Sequence, residues 1–163
     1  MPRLSARLAA ATDLDWSPAL DVVAAASSLT TIGRGPTLAI AREAALKLKE
    51  TSNLHAEAFS SAEFQHGPMA LVSELYPILT FMPSDESAAG GRALAADLRC
   101  KGAALFSTGE SGPCHLPALA PDHADTDALC LIQSFYAFAI RIAARRGTDV
   151  DRPRHLQKVT RTR

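Results

Sequence analysis

The sequence predicts an α/β protein, a three-layer α/β/α sandwich built on a mainly parallel sheet with a C-terminal tail. Two observations predict it. Short β-prone runs alternate with longer stretches of helix formers, and a glycine turn joins the first such run to the helix behind it. Alternation of this kind is satisfied by a parallel sheet covered on both faces. Ligands of such sheets bind outside the C-terminal strand ends, where the glycine turn would lie.

Residues 3–12 read as a short helix, broken near Asp13–Pro18, and Pro18 sits near the start of a second helix through about Ala26. Ser28–Ile32 is a β-prone run ending in Gly33-Arg34-Gly35-Pro36. Pro36 has the position of a first helical residue, and Thr37–Ser52 carries strong helix formers with no internal Gly or Pro. Residues 53–68, ending in His66-Gly67-Pro68, read as a largely irregular excursion with one short helix, and Met69–Glu74 as a further helical turn. Tyr76–Met82, apolar and bounded by Pro83, is a second strand. Glu86–Lys101 is helical apart from the weakening Gly90-Gly91 pair, and Ala103–Ser107 is a third strand. Beyond Pro113, Pro117 and Pro121, Asp125–Arg146 is the longest helix and stops at Gly147. The chain thus divides into a helical connection (1–26), a domain (27–147) and a tail (148–163).

At 163 residues the chain is long enough to bury a core of its own. Seventeen basic and seventeen acidic side chains cancel, so no overall field points to nucleic acid or a membrane surface. There is no run of eighteen or more apolar residues, and no apolar stretch of signal-peptide type follows Met1. Cys100, Cys114 and Cys130 are odd in number and widely spaced, and no Cys/His metal spacing appears. The expected setting is reducing and cytoplasmic, with no metal, no nucleic acid and no membrane partner.

Placed on a helix at about 100° per residue, Leu38, Ala41, Ala45 and Leu48 share the natural core face, and Glu43, Lys47 and Glu50 stack on the opposite one. That row is either a solvated stripe of Glu–Lys pairs, each worth a few tenths of a kcal/mol, or the lining of a pocket where the lysine steadies a carboxylate base. Periodicity does not choose between them. The Gly33-Arg34-Gly35 turn has two readings as well: an anion site at a helix start, or tight strand-to-helix packing.

Residue identities go further. The segment Ile32-Gly33-Arg34-Gly35 … Glu43-Ala44-Ala45-Leu46-Lys47-Leu48-Lys49-Glu50 … His55-Ala56-Glu57-Ala58 … Glu63-Phe64-Gln65-His66-Gly67-Pro68 closely resembles the second SIS (sugar isomerase) domain of glucosamine-6-phosphate synthase and of related two-SIS-domain enzymes without a glutaminase domain. The tail Asp151-Arg152-Pro153-Arg154-His155-Leu156-Gln157-Lys158 resembles the C-terminal end of the same family. The resemblance implies an SIS-type, flavodoxin-like fold acting on a sugar phosphate, with no organic cofactor, in a homodimer. It implies that Glu50 is the isomerase base moving a proton between C1 and C2 of the open-chain sugar, with Lys47 as the active-site lysine one turn earlier. It also implies that His66 opens the sugar ring, supplied in the synthase by the neighbouring subunit, and that Lys158 is the C-terminal lysine approaching the sugar carbonyl. Gly33, Arg34, Gly35 and Glu43 are the candidate substrate-binding residues. Glu57 and Glu63 match the family too, and are as readily structural carboxylates that bond backbone N–H groups.

The chain also departs from the pattern. The family's S-x-S-G-x-T phosphate loop belongs to the first of its two SIS domains, and neither Ser84–Ser87 nor Ser107–Ser111 matches it. The chain is therefore expected to be the C-terminal half of a two-domain enzyme, partnered by a second SIS domain. No N-terminal cysteine nucleophile or glutaminase domain is present, so glutamine-dependent amination by this chain alone is not expected. His155, where the synthase has Asn, and the residues after Lys158 favour the glutaminase-free branch. The expected reaction is glucosamine 6-phosphate to fructose 6-phosphate and ammonia. The alternatives are the isomerase domain of a glutamine–fructose-6-phosphate aminotransferase and a non-catalytic sugar-phosphate-binding SIS module.

Overall fold

A computed structural model describes residues 2–110 and 114–156. Five parallel strands form one sheet in the order β2-β1-β3-β4-β5, with β1 Ser28–Gly33, β2 His55–Ser60, β3 Pro77–Thr80, β4 Ala104–Thr108 and β5 His115–Leu116. This is the flavodoxin-like order, with its switch point between β1 and β3. The helices are α1 Pro2–Thr12, α2 Ser17–Ala25, α3 Pro36–Ser52, α4 Ser61–Gln65, α5 Ala88–Cys100 and α6 Ala124–Arg145, with a 3-10 turn at Pro68–Leu71.

Alternation along the strands feeds two cores. Leu29, Leu79, Phe81 and Phe106 pack under α2, α3 and α6, while Ile32, Ile78 and Leu105 pack under α4 and α5 through Phe64, Leu94 and Leu98. The first core is the aromatic one. Trp16 meets Phe81 and Phe138 with ring centroids 6.1 and 5.8 Å apart, and its indole N–H donates to Pro117 C=O at 2.9 Å. By length and composition α6 could cross a bilayer, yet Leu131, Phe135, Phe138 and Ile142 are buried in this core. That makes it a core helix.

The structure corrects the sequence reading in four places. Residues 55–60 are not irregular: they form β2, an edge strand in register with β1 from Ser28↔His55 to Gly33↔Ser60. The sequence His-Ala-Glu-Ala-Phe-Ser is poor in β-branched residues, so propensity hides a strand that pairing with β1 makes. The proline-rich stretch holds the two-residue β5. On α3, Leu38 is half-buried, and Ile40 and Ala44 join Ala41, Ala45 and Leu48 in the core. Finally, the face of α3 turned furthest outward carries Ala39, Arg42, Leu46 and Lys49; Glu43, Lys47 and Glu50 lie on its half-buried flank.

Two local devices fix α3, the helix that carries this row. Pro36 opens it, preceded by Gly35 at φ 54° and ψ −129°, a backbone that glycine adopts without a Cβ penalty. Asn53, left-handed at φ 49°, closes it, and the Leu54 N–H returns to Leu48 C=O at 3.2 Å. At the same end, Arg146 at the close of α6 binds three carbonyls. Its Nε donates to Ser52 at 2.7 Å, and one Nη donates to Ala24 and Ala26 at 2.7 and 2.9 Å. One guanidinium thereby ties the ends of α2, α3 and α6 together.

Candidate active site

The candidate row on α3 is formed and engaged. Lys47 Nζ lies 2.6 Å from Glu50 Oε2 and 3.8 Å from Glu43 Oε1, with all three side chains about a third exposed. Tyr136, reaching over from α6, donates its hydroxyl to Glu43 Oε1 at 3.0 Å. The hydrogen bond that Lys47 donates to Glu50, then the charges of Glu50 and Glu43, raise the Lys47 pKa against partial burial, so the ammonium form is favoured. Burial and the bond to Glu43 raise the Tyr136 phenol and keep it a donor. Neither reading of the row made from spacing alone included Tyr136. It lies 93 positions from Glu43, and only the packing of α6 on α3 brings the two together.

Glu50 does not face open solvent along a helix. It borders a cleft of about 130 Å³ with Thr51, Asn53 and the segment Gly147–Arg154, which includes Arg152 and Arg154. The segment is held there because the Thr148 hydroxyl donates to Thr51 C=O at 2.7 Å. The basic run after α6 thus folds back on the helix end that carries Glu50. Lys158 lies outside the described residues.

His66 is elsewhere. It follows α4, exposed, on the face of the sheet opposite α3, and α4 starts beside the C-terminal end of β2 while Glu50 sits near its N-terminal end. The chain by itself does not bring Glu50 and His66 together. His66 N–H returns to Glu63 C=O at 3.0 Å, closing the short helix.

The remaining candidates separate cleanly. Gly33 has no room for a side chain: a Cβ there would stand 2.1 Å from Thr37 O, so close strand-to-helix packing accounts for this glycine. Arg34 is exposed at the C-terminal end of β1, where its backbone N–H and C=O both bond the Thr37 hydroxyl at 3.0 Å. Glu63 completes a capping box with Ser60, its Oε2 accepting the Ser60 N–H at 3.0 Å while Ser60 Oγ accepts the Glu63 N–H at 3.1 Å. Those bonds hold the Glu63 carboxyl below its ordinary value. For Glu63 the structural reading therefore applies. Among the described residues no cluster of three His, Cys, Asp or Glu side chains could hold a metal ion.

Comparison with known proteins agrees with this fold. The SIS domain model matches residues 23–107, more than half of the chain. A glutamine–fructose-6-phosphate aminotransferase (isomerizing) of Caulobacter vibrioides is 35% identical over 96% of this chain, which spans 27% of that protein. Among solved structures, a protein assigned as a phosphosugar isomerase from Silicibacter pomeroyi is 43% identical, with a TM-score of 0.79 over 88% of this chain and 44% of its own. The C-terminal domain of glucosamine-fructose-6-phosphate aminotransferase from Francisella tularensis is 28% identical, with a TM-score of 0.82 over 93% of this chain and 46% of its own. The chain spans about a quarter of the curated relative and under half of each solved one. By sequence and by fold, it belongs to the SIS domain family of sugar-phosphate isomerases and their aminotransferase relatives.

Proposed function

We propose that this chain is the proton-transfer module of an amino-sugar-phosphate isomerase/deaminase, working with a second SIS module that grips the phosphate. The observation that carries the reading is the half-buried Lys47–Glu50 pair at 2.6 Å, whose Glu50 borders the cleft that the segment after α6 closes. A carboxylate held beside an ammonium group in a cleft has what proton transfer at a carbon acid requires.

In the proposed path, His66 of a neighbouring subunit assists opening of the sugar ring. Glu50 then takes the C2 proton of open-chain glucosamine 6-phosphate and returns it to C1. This converts the C1 aldehyde and C2 amine to a C1 alcohol and a C2 imine. Water adds to the imine and ammonia leaves, giving fructose 6-phosphate. Lys47 fixes the Glu50 carboxylate, and Lys158 closes over the carbonyl. The opposite placement of Glu50 and His66 in one protomer supports a site completed by another subunit.

The 43% identity to a solved chain of which this one spans 44% supports a two-module protein without a glutaminase domain. The 35% identity to an aminotransferase favours a second reading, the isomerase part of an enzyme that aminates fructose 6-phosphate. Product analysis of the two-module protein separates them. Ammonia and fructose 6-phosphate formed one-to-one from glucosamine 6-phosphate, without glutamine, is the expected result. Glucosamine 6-phosphate formed from fructose 6-phosphate only when glutamine is added would replace it with the second reading.

A further inference from the structure

A cavity of about 440 Å³ lies at the C-terminal ends of β3, β4 and β5, remote from Glu50, and it is of the size that encloses small metabolites. Its walls are apolar: Met82, Ala118, Leu119 and Leu131 among them. Its polar groups are unevenly spent. The Asp127 carboxylate accepts from Arg7 at 2.8 Å, from the Ser84 hydroxyl at 2.6 Å and from the Asp122 N–H at 3.1 Å. Asp85 is taken by the N–H and hydroxyl of Ser87. The Thr108 hydroxyl accepts the Met82 N–H, and the Ser134 hydroxyl donates to Ala11 C=O.

Two lining atoms are left over. Arg7 Nε and His115 Nδ1 are buried without a hydrogen-bond partner among the described residues. Such atoms are costly unless water or a ligand meets them. Arg92, exposed, adds a guanidinium to the same lining. The two aspartates and two arginines of the lining balance in formal charge, but the aspartates already accept bonds from within the chain while the two arginines keep free N–H groups, so the groups left to meet a ligand are chiefly donors.

We infer that this cavity is a binding site for a small organic oxyanion, a phosphate or carboxylate borne on a compact ring. The anionic head meets Arg92 at the solvent side. The ring lies between Met82 and Leu131, and an acceptor on its far side reaches Arg7 Nε and His115. The site is distinct from the Glu50 cleft, and its occupancy needs no turnover.

The test is a set of ¹H–¹⁵N NMR titrations of the chain with phenyl phosphate, benzoate, glucose 6-phosphate and inorganic phosphate, each to about 10 mM. The expected result is saturable movement of the Gly109 amide by one or more of the organic anions, at least about tenfold tighter than inorganic phosphate. Phenyl phosphate against benzoate distinguishes the head, and phenyl phosphate against glucose 6-phosphate distinguishes the body. Arg92→Gln and His115→Gln should each weaken that binding about tenfold. Arg92 is exposed, so its variant keeps the test valid should His115→Gln unfold. No saturation by any organic anion, equal affinity for inorganic phosphate, or unchanged affinity in a folded Arg92→Gln would overturn the proposal.

Discussion

Arg146 offers a quantitative test of how the helix that carries Glu50 is held. Its guanidinium makes three bonds, to Ser52 C=O on α3 and to Ala24 and Ala26 C=O at the end of α2, all between 2.7 and 2.9 Å. A hydrogen bond to a charged group is worth about 1.5–3 kcal/mol where the carbonyl is left dry. These carbonyls are part-buried, so water recovers some of that in Arg146→Ala. About 1 kcal/mol per bond then remains, or about 3 kcal/mol in all. For a chain of this size, that lowers Tm by roughly 6–12 °C.

Arg146→Lys separates charge from geometry. One ammonium cannot span both helix ends, so the lysine variant should recover about a third of the loss. Arg145→Ala is the control, because Arg145 pairs with Asp21 in the open, with both side chains more than half exposed. It should cost less than about 1 kcal/mol. Thermal and urea unfolding followed by circular dichroism measure all three. If Arg146→Ala lost no more than Arg145→Ala, or if lysine restored full stability, the clamp would be dismissed.

Gly33→Ala places a Cβ 2.1 Å from the backbone oxygen of Thr37, where no flexible side chain can yield. It should cost about 3 kcal/mol or more, or abolish soluble expression; a wild-type urea midpoint would contradict the geometry. The α3–α6 row predicts a specific alkaline limb. Lys47 is raised from its ordinary 10.5 and Tyr136 from its ordinary 10.0. Their stabilisation is therefore complete below about pH 10 and lost as pH rises through the raised values. Tyr136→Phe and, separately, Glu50→Gln should each make the fall of Tm above about pH 10 shallower than in wild type. Parallel curves would show that neither contact couples to stability.

Much of the fold was legible because it rests on local chemistry. The turn from β1 into α3 is written in Gly33, Gly35 and Pro36, and the end of α6 in Gly147. β2 was not legible, since Ala56 and Glu57 carry no strand preference and the strand exists by pairing with β1. The register of the α3 row was readable, but its surroundings were not. Spacing gives Glu43, Lys47 and Glu50 a common side; only the packing of α6 adds Tyr136, and only the return of residues 147–154 encloses Glu50. Assigning Glu50 and His66 to chemistry depended on the residues shared with a family, because helical geometry fits a solvated stripe equally well. The donor-lined cavity was the least visible, being gathered from α1, α5, α6 and the ends of three strands.

The central claim is that Glu50 moves the proton. It is tested most directly by following deuterium entry from D₂O into C1 and C2 of the sugar phosphate by NMR, using the proposed two-module protein. Wild type should exchange during turnover, while Glu50→Gln should still bind sugar phosphate and lose exchange by about 10²–10⁴-fold. Exchange in Glu50→Gln within about tenfold of wild type would contradict the account.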